Sequence, residues 1–483
     1  MRRRGFVVLA VAAALVAGLV LLLRGGDGPQ RAVADPVAEA LARLPRGADL
    51  VALVASDGEG RQLRALRDVL GRIPGAGIAV GRLLRGLDAA GLGERARSEL
   101  SGAPVAVGMA GGLRAGVLAW PTAGAGPLGA RIDDAVRAGL LREAAPSGGV
   151  RVLRVARPAA AGPVAPVRAV AVRGRLLLAA TSEELVRAAA RRDDRARARG
   201  LRRRLGAAGT DALVRAVGRP RSLLPARVRV LVPELARARE AVLTAGAVDD
   251  GLLATLRLDG AVVPLAPGAG APAPAGLDGD VHAALREPRT SAPAALRALG
   301  VDGDVARADA LLGRLRRDTL TEVLTDRLTG TATLALSARG GPVAQLQLDD
   351  AGPLRDLLGD ISRVPDLLLG RAGLDVDEDD GVFAVRLPGA PELRVAVAGD
   401  RVGVTTGGDP RPVATRVPAA RTTPGAGALS VRVSAAALRS RLPALLGLPR
   451  FAQSFLAPLG DLTLGVRRDG RRVVATLVLQ VRR

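Results

Sequence analysis

Two stretches of the chain carry the same pattern of apolar positions. RAVAVRGRLLLAAT, Arg168 to Thr181, and LRVAVAGDRVGVTT, Leu393 to Thr406, each set two short runs rich in Val, Leu and Ala on either side of a Gly-x pair. The pair is Gly174-Arg175 in the first and Gly399-Asp400 in the second. Glycine accepts the positive φ that a tight two-residue turn needs at its first central position, so each stretch predicts a β-hairpin. RLLLAA, Arg175 to Ala180, is apolar at successive positions, which predicts burial on both faces of a sheet.

Other landmarks pair in the same order. GADLVAL around Asp49 is echoed by GDVHAAL around Asp280, LSGAPVAVGMAGG at Leu100 by LTGTATLALSARGG at Leu328, and GTDALVRAVG at Gly209 by GAGALSVRVS at Gly425. The turn Asp259-Gly260 is matched to Asp469-Gly470. Common order with steadily falling offsets predicts an internal duplication. PLAPGAGAPAPAG, Pro264 to Gly276, has the Pro/Gly/Ala composition of a linker. The expected fold class is α+β: an N-terminal transmembrane helix followed by two tandem α+β repeats, residues 36–263 and 277–483, with antiparallel sheets covered by helices. Because helices readily cover one sheet face and rarely both, the copies are expected to pack through their sheets or to enclose an apolar groove, with Leu176 and Leu178 near the seam.

The order LPRGADLVALV, LSGAPVAVGM, APVRAVAVRGRLLLAATSEELVRAA, GTDALVRAVG and LTGTATLALS resembles a bacterial family, domain of unknown function 3352. The resemblance covers almost everything after the tether described next. It implies an N-terminal membrane segment and brings no activity, cofactor or catalytic residue.

At the N-terminus, Arg2, Arg3 and Arg4 precede an uncharged run from Gly5 to Leu23, closed by Arg24. At helical rise such a run spans roughly 28 Å, close to the hydrocarbon thickness of a bilayer. Residues 1–24 are therefore expected to be a membrane anchor with Met1 cytoplasmic and the bulk of the chain extracytoplasmic. The alternative is a cleaved signal peptide using Ala32-Val33-Ala34. Residues 25–35 form a flexible tether, and Asp35-Pro36 gives the N-cap and first position of a helix over Pro36 to Leu44. Gln62 to Leu70 and Val80 to Leu87 are further expected helices.

Composition narrows the function classes. The chain has no cysteine, which excludes disulfides, thiolate metal sites and a thiol nucleophile. Its net charge of +23 comes with no Lys, Asn or Tyr, the mark of strong codon bias that turns Lys into Arg. Four Phe and one Trp are too few for base-stacking platforms, so no nucleic-acid partner is expected.

No chemistry-bearing constellation emerges. His282 is the only histidine and sits in the strand GDVHAAL; a structural or surface role is expected of it. GRLLRG, Gly81 to Gly86, has P-loop glycine spacing but lacks the lysine. Asp375, Asp377, Glu378, Asp379 and Asp380 form an acidic cluster that fails the EF-hand template, with Asp380 where glycine and Arg386 where glutamate is required; it is expected to be a solvated turn before a strand over Val382 to Leu387. Nine arginines lie between Arg187 and Arg204. Thr181 and Glu184 are expected to form a capping box for the helix there, and Gly200 to break it. That segment is either a solvated face with i,i+4 pairs or a contact for anionic lipid or acidic wall polymer. No catalytic, cofactor-binding or metal-ligating residue is assigned and no cofactor is expected. The expected function is a single-pass, membrane-anchored extracytoplasmic binding or scaffold protein of the bacterial cell envelope, not an enzyme. The alternatives are a lipid or apolar-ligand carrier, or a carboxylate-dependent hydrolase.

Overall fold

The computed structural model describes residues 35–55, 61–72, 104–111, 115–122, 125–146, 149–158, 167–206, 212–223, 237–261, 263–266, 279–291, 319–322, 330–337, 341–348, 350–363, 375–386, 392–416, 427–446 and 456–482, with a few isolated positions besides. The chain divides into two units. Unit 1 takes residues 1–261 with 449–459 and 480–483; unit 2 takes 262–448 and 460–479.

Unit 1 contains the strands β1 (Leu50–Val54), β2 (Val105–Ala110), β3 (Ala115–Pro121), β4 (Leu141–Glu143), β5 (Val152–Val155), β6 (Ala169–Arg173), β7 (Leu176–Ala180), β8 (Val214–Gly218), β9 (Glu240–Val248) and β10 (Gly251–Asp259). Their order is β10-β9-β8-β1-β2-β3-β7-β6-β5-β4, antiparallel throughout. The β6–β7 turn is Gly174-Arg175, with Gly174 at φ 56°.

Five short helices cover both faces of this sheet: α1 (Pro36–Ala42), α2 (Arg61–Gly71), α3 (Ala125–Arg137), α4 (Glu183–Arg191) and α5 (Arg195–Gly206). Leu63 and Leu66 of α2 and Leu128 and Ile132 of α3 pack on Leu50, Ala52, Trp120 and Leu177. On the other face Leu41 of α1, Val186 and Ala189 of α4, and Leu201 and Leu205 of α5 pack on Val51, Leu53, Leu176 and Leu178. β7 is buried along its whole length, as its unbroken apolar run requires. Leu176 and Leu178 are thus covered by helices of their own unit, which overturns the expected seam between copies. The reason is local: α2 and α3 cover one face, and α4 and α5, directly after β7, cover with α1 the face that carries Leu176 and Leu178, so no second sheet is needed.

Unit 2 contains β11 (Val281–Arg286), β12 (Thr331–Ser337), β13 (Gly341–Gln347), β14 (Asp375–Asp379), β15 (Val382–Arg386), β16 (Leu393–Ala398), β17 (Arg401–Thr405), β18 (Leu429–Val433), β19 (Leu459–Asp469) and β20 (Arg472–Val481). The order is β20-β19-β18-β11-β12-β13-β17-β16-β15-β14, that of unit 1 with every number raised by ten. Hydrogen bonds that flank the ladders recur as well. Asp49 N–H donates to Met109 O as Asp280 N–H does to Leu336 O, Ala55 N–H to Leu213 O as Arg286 N–H to Ala428 O, and Thr122 N–H to Arg175 O as Leu348 N–H to Asp400 O. This register corrects one sequence landmark. Asp469-Gly470 lies at the β19–β20 turn, whose counterpart is Asp249-Asp250, whereas Asp259-Gly260 closes β10.

The longer helices among the described residues of unit 2 are α6 (Gly352–Ser362), α7 (Arg411–Thr415) and α8 (Ala435–Leu446). α6 buries Leu357, Leu358 and Ile361 against Val376, Phe383, Val395 and Val402. The opposite face differs from unit 1. Where the first register has Ala106, Ala119, Leu178, Ala180 and Val242, the second has Thr333, Gln345, Gly403, Thr405 and Thr463. Burying those polar groups is tolerable only because each finds a partner: Thr333 Oγ1 donates to Gln345 O, Gln345 Nε2 to the carbonyls of Val413 and Arg416, and Thr405 Oγ1 to Gly408 O.

The expected α+β layout, with an N-terminal transmembrane helix ahead of two α+β repeats, is corrected by this architecture. The described residues are dominated by twenty strands in antiparallel pairings, and no helix among them is long and apolar enough to cross a membrane. Local periodicity marks each hairpin and helix, but each hairpin edge carries unpaired N–H and C=O groups that the next hairpin satisfies, so pairing extends well beyond any local motif. The segments Gly5 to Leu23 and Gly25 to Ala34, and the helix expected over Val80 to Leu87, lie outside the described residues, as does most of the linker Pro264 to Gly276.

Candidate functional site

The nine arginines between Arg187 and Arg204 fall on two helices, not one. α4 starts at Ser182, whose Oγ accepts from Leu185 N–H at 3.3 Å; the expected cap, Thr181, instead receives Gly116 N–H on its Oγ1 at 3.1 Å. The break comes at Arg192–Asp194 and not at Gly200, which α5 runs through. Asp194 causes it, because its carboxylate accepts from Arg197 N–H at 3.2 Å and so caps a new helix. That N–H, followed by Arg46, holds the Asp194 carboxyl below the usual carboxylate range.

Side-chain partners sort these arginines into three groups. Arg192 Nη1 donates to Arg43 O and Arg197 Nη1 to Leu44 O, both at 3.1 Å, so two guanidinium groups satisfy carbonyls left over at the end of α1. Burial lowers the pKa of both, and of Arg43, from the ordinary arginine value. Arg187, Arg195, Arg202 and Arg204 form ion pairs with Glu183, Asp193, Asp35 and Glu240. Arg191, Arg199 and Arg203 are exposed, and no partner for them appears among the described residues.

Beside α4 lies a polar cleft of about 590 Å³ lined by Arg154, Arg168, Ser182, Glu183, Glu184 and Arg187. Glu183 bridges Arg154 and Arg187, and its carboxyl is held below the usual range by Arg154 first. A carboxylate so held is a poor proton donor near neutral pH.

The acidic cluster is not a loop. Asp375 to Asp379 form β14, and Asp380-Gly381 is the hairpin turn, with φ of 48° and 72°. Arg386, directly opposite Asp375, bonds Asp375, Asp377 and Glu392, and Arg411 bonds Asp380. The carboxylates raise the Arg386 pKa above its ordinary value. Among the described residues no group of His, Asp and Glu side chains could hold a metal ion. His282 lies in β11 with Nε2 2.8 Å from Gly279 O. GRLLRG, Gly81 to Gly86, is outside the described residues. Sequence reasoning gave no signal for the Arg154–Glu183–Arg187 cluster, whose members come from two separate elements.

No family model and no curated protein matches the chain. Among solved structures it is similar to crystal form III of TP0453, at TM-score 0.28 and 11% identity over 47% of this chain and 81% of that one. It is also similar to crystal form I of TP0453, at TM-score 0.23 and 13% identity over 44% and 93%. Likenesses this slight carry no argument about fold or function.

Proposed function

We propose that the chain is an extracytoplasmic binding or scaffold protein of the bacterial cell envelope, held at the membrane by the segment Gly5 to Leu23. One observation carries the reading: an uncharged run long enough for a bilayer, preceded by Arg2, Arg3 and Arg4 and closed by Arg24, ahead of the helix that Asp35 caps. The resemblance to domain of unknown function 3352 implies the same arrangement.

Carbonate extraction of membranes followed by N-terminal sequencing tests it. The full chain is expected in the pellet, beginning at its own N-terminus. A soluble product beginning at Asp35 would show a cleaved signal and remove the anchor.

A further inference from the structure

We infer that the outer face of α5 rests on anionic lipid headgroups of the membrane that holds the chain, an inference built on the anchoring reading above. α5, RARARGLRRRLG, contains six arginines and no acidic residue. Its inner side is fixed by buried Ala198, Leu201 and Leu205, which leaves Arg195, Arg199, Arg202 and Arg203 exposed on the outside. Arg197 is spent on Leu44 O, and Arg204 on Glu240. Arg199 and Arg203, one helical turn apart, have no partner among the described residues and project a like-charge pair that gains nothing from the fold. A surface of this kind calls for an anion.

Position selects the membrane over other anions. Arg202 pairs with Asp35, the N-cap of α1 and the residue on which the tether ends. From Arg24 to Asp35 the chain can reach at most about 40 Å, so the end of the Gly5 to Leu23 run is never far from α5. Such confinement makes weak lipid contacts effective, because the helix samples the headgroup layer at high local concentration. Juxtamembrane arginines attract an anionic surface within about a Debye length, about 8 Å at physiological salt.

The chain has no cysteine, so Ala196→Cys, exposed on the outer side of α5, gives a single labelling site. The full-length labelled protein is reconstituted in nanodiscs of phosphatidylglycerol or phosphatidylcholine that carry a headgroup quencher. Quenching is expected in phosphatidylglycerol, little in phosphatidylcholine, and loss at high salt. With Arg199→Gln and Arg203→Gln together, the ratio of docked to undocked chain should fall roughly thirtyfold, while Trp120 fluorescence shows the fold intact. Equal quenching in both lipids, or no change in the double variant, overturns the inference. So does binding of a soluble acidic polymer by α5 without quenching at the bilayer. If carbonate releases the chain, the anchoring reading fails separately. The released protein is then sedimented with phosphatidylglycerol vesicles, where binding that needs Arg199 and Arg203 supports the lipid surface and absence of binding removes it.

Discussion

Arg43 and Arg192 hold each other's backbone: Arg192 Nη1 donates to Arg43 O at 3.1 Å, and Arg43 Nη1 donates to Arg192 O. The exchange ties the end of α1 to the junction of α4 and α5. Arg43 is only 5% exposed, so its charge is tolerated by virtue of this contact. Truncating one side chain strands the backbone carbonyl it served and unties α1 from the α4–α5 junction on that side. Arg192→Ala should therefore cost about 1–3 kcal/mol, against less than about 0.5 kcal/mol for Arg191→Ala on the exposed side. Trp120, the single tryptophan and part of the unit 1 core, reports denaturant unfolding of that unit alone. Equal midpoints for the two variants would contradict the assignment.

Leu178 is fully buried, opposite Ala119 and Ala171 on the neighbouring strands. Leu178→Asp puts an unpaired carboxylate there and should cost more than about 4 kcal/mol or abolish folding of unit 1. Leu336, 42% exposed in β12, is the control. Its Asp variant should leave Trp120 unfolding unchanged and shift the far-UV transition little; parent-like unfolding of the Leu178 variant would show that β7 is not core.

Gly403 stands at the register position that Leu178 occupies in unit 1. A Cβ there would meet the Pro410 carbonyl oxygen and lie 2.6 Å from Ala414 N, both backbone atoms of the α7 turn. Gly403→Ala is expected to destabilise unit 2 by about 1–3 kcal/mol and to speed proteolysis at α7, with Trp120 fluorescence unaffected. Unaltered proteolysis would mean that α7 can move away freely.

Asp194, Glu183, Glu392 and Asp409 all have carboxyls held below their usual values, by Arg197 N–H, Arg154, Arg386 and Arg411 respectively. A depressed folded-state pKa stabilises the fold above the unfolded-state value and is lost as pH falls through the folded one. Stability should thus be level near neutrality and decline as pH drops below about 4.5. Asp194→Asn should flatten part of that decline for unit 1. An acid limb identical to the parent's would exclude Asp194 as a contributor.

By itself the sequence determined the local geometry. Gly174-Arg175 and Gly399-Asp400 form their hairpin turns because only glycine takes φ of 56° and 60° freely. Asp35-Pro36 opens α1 because the cap and the fixed φ of proline act within one turn. The unbroken apolar run Leu176 to Ala180 is buried on both faces because strand side chains alternate. Partners across the chain were decided by the tertiary structure. Which surface meets β7, which arginines of Arg187 to Arg204 satisfy α1 and which face outward, and that Arg386 gathers Asp375, Asp377 and Glu392 all depend on long-range register. Arginine reads alike at every position in a codon-biased chain, and its hydrogen bonds reach about a helical turn beyond its own backbone, so its role follows from what the fold brings near it.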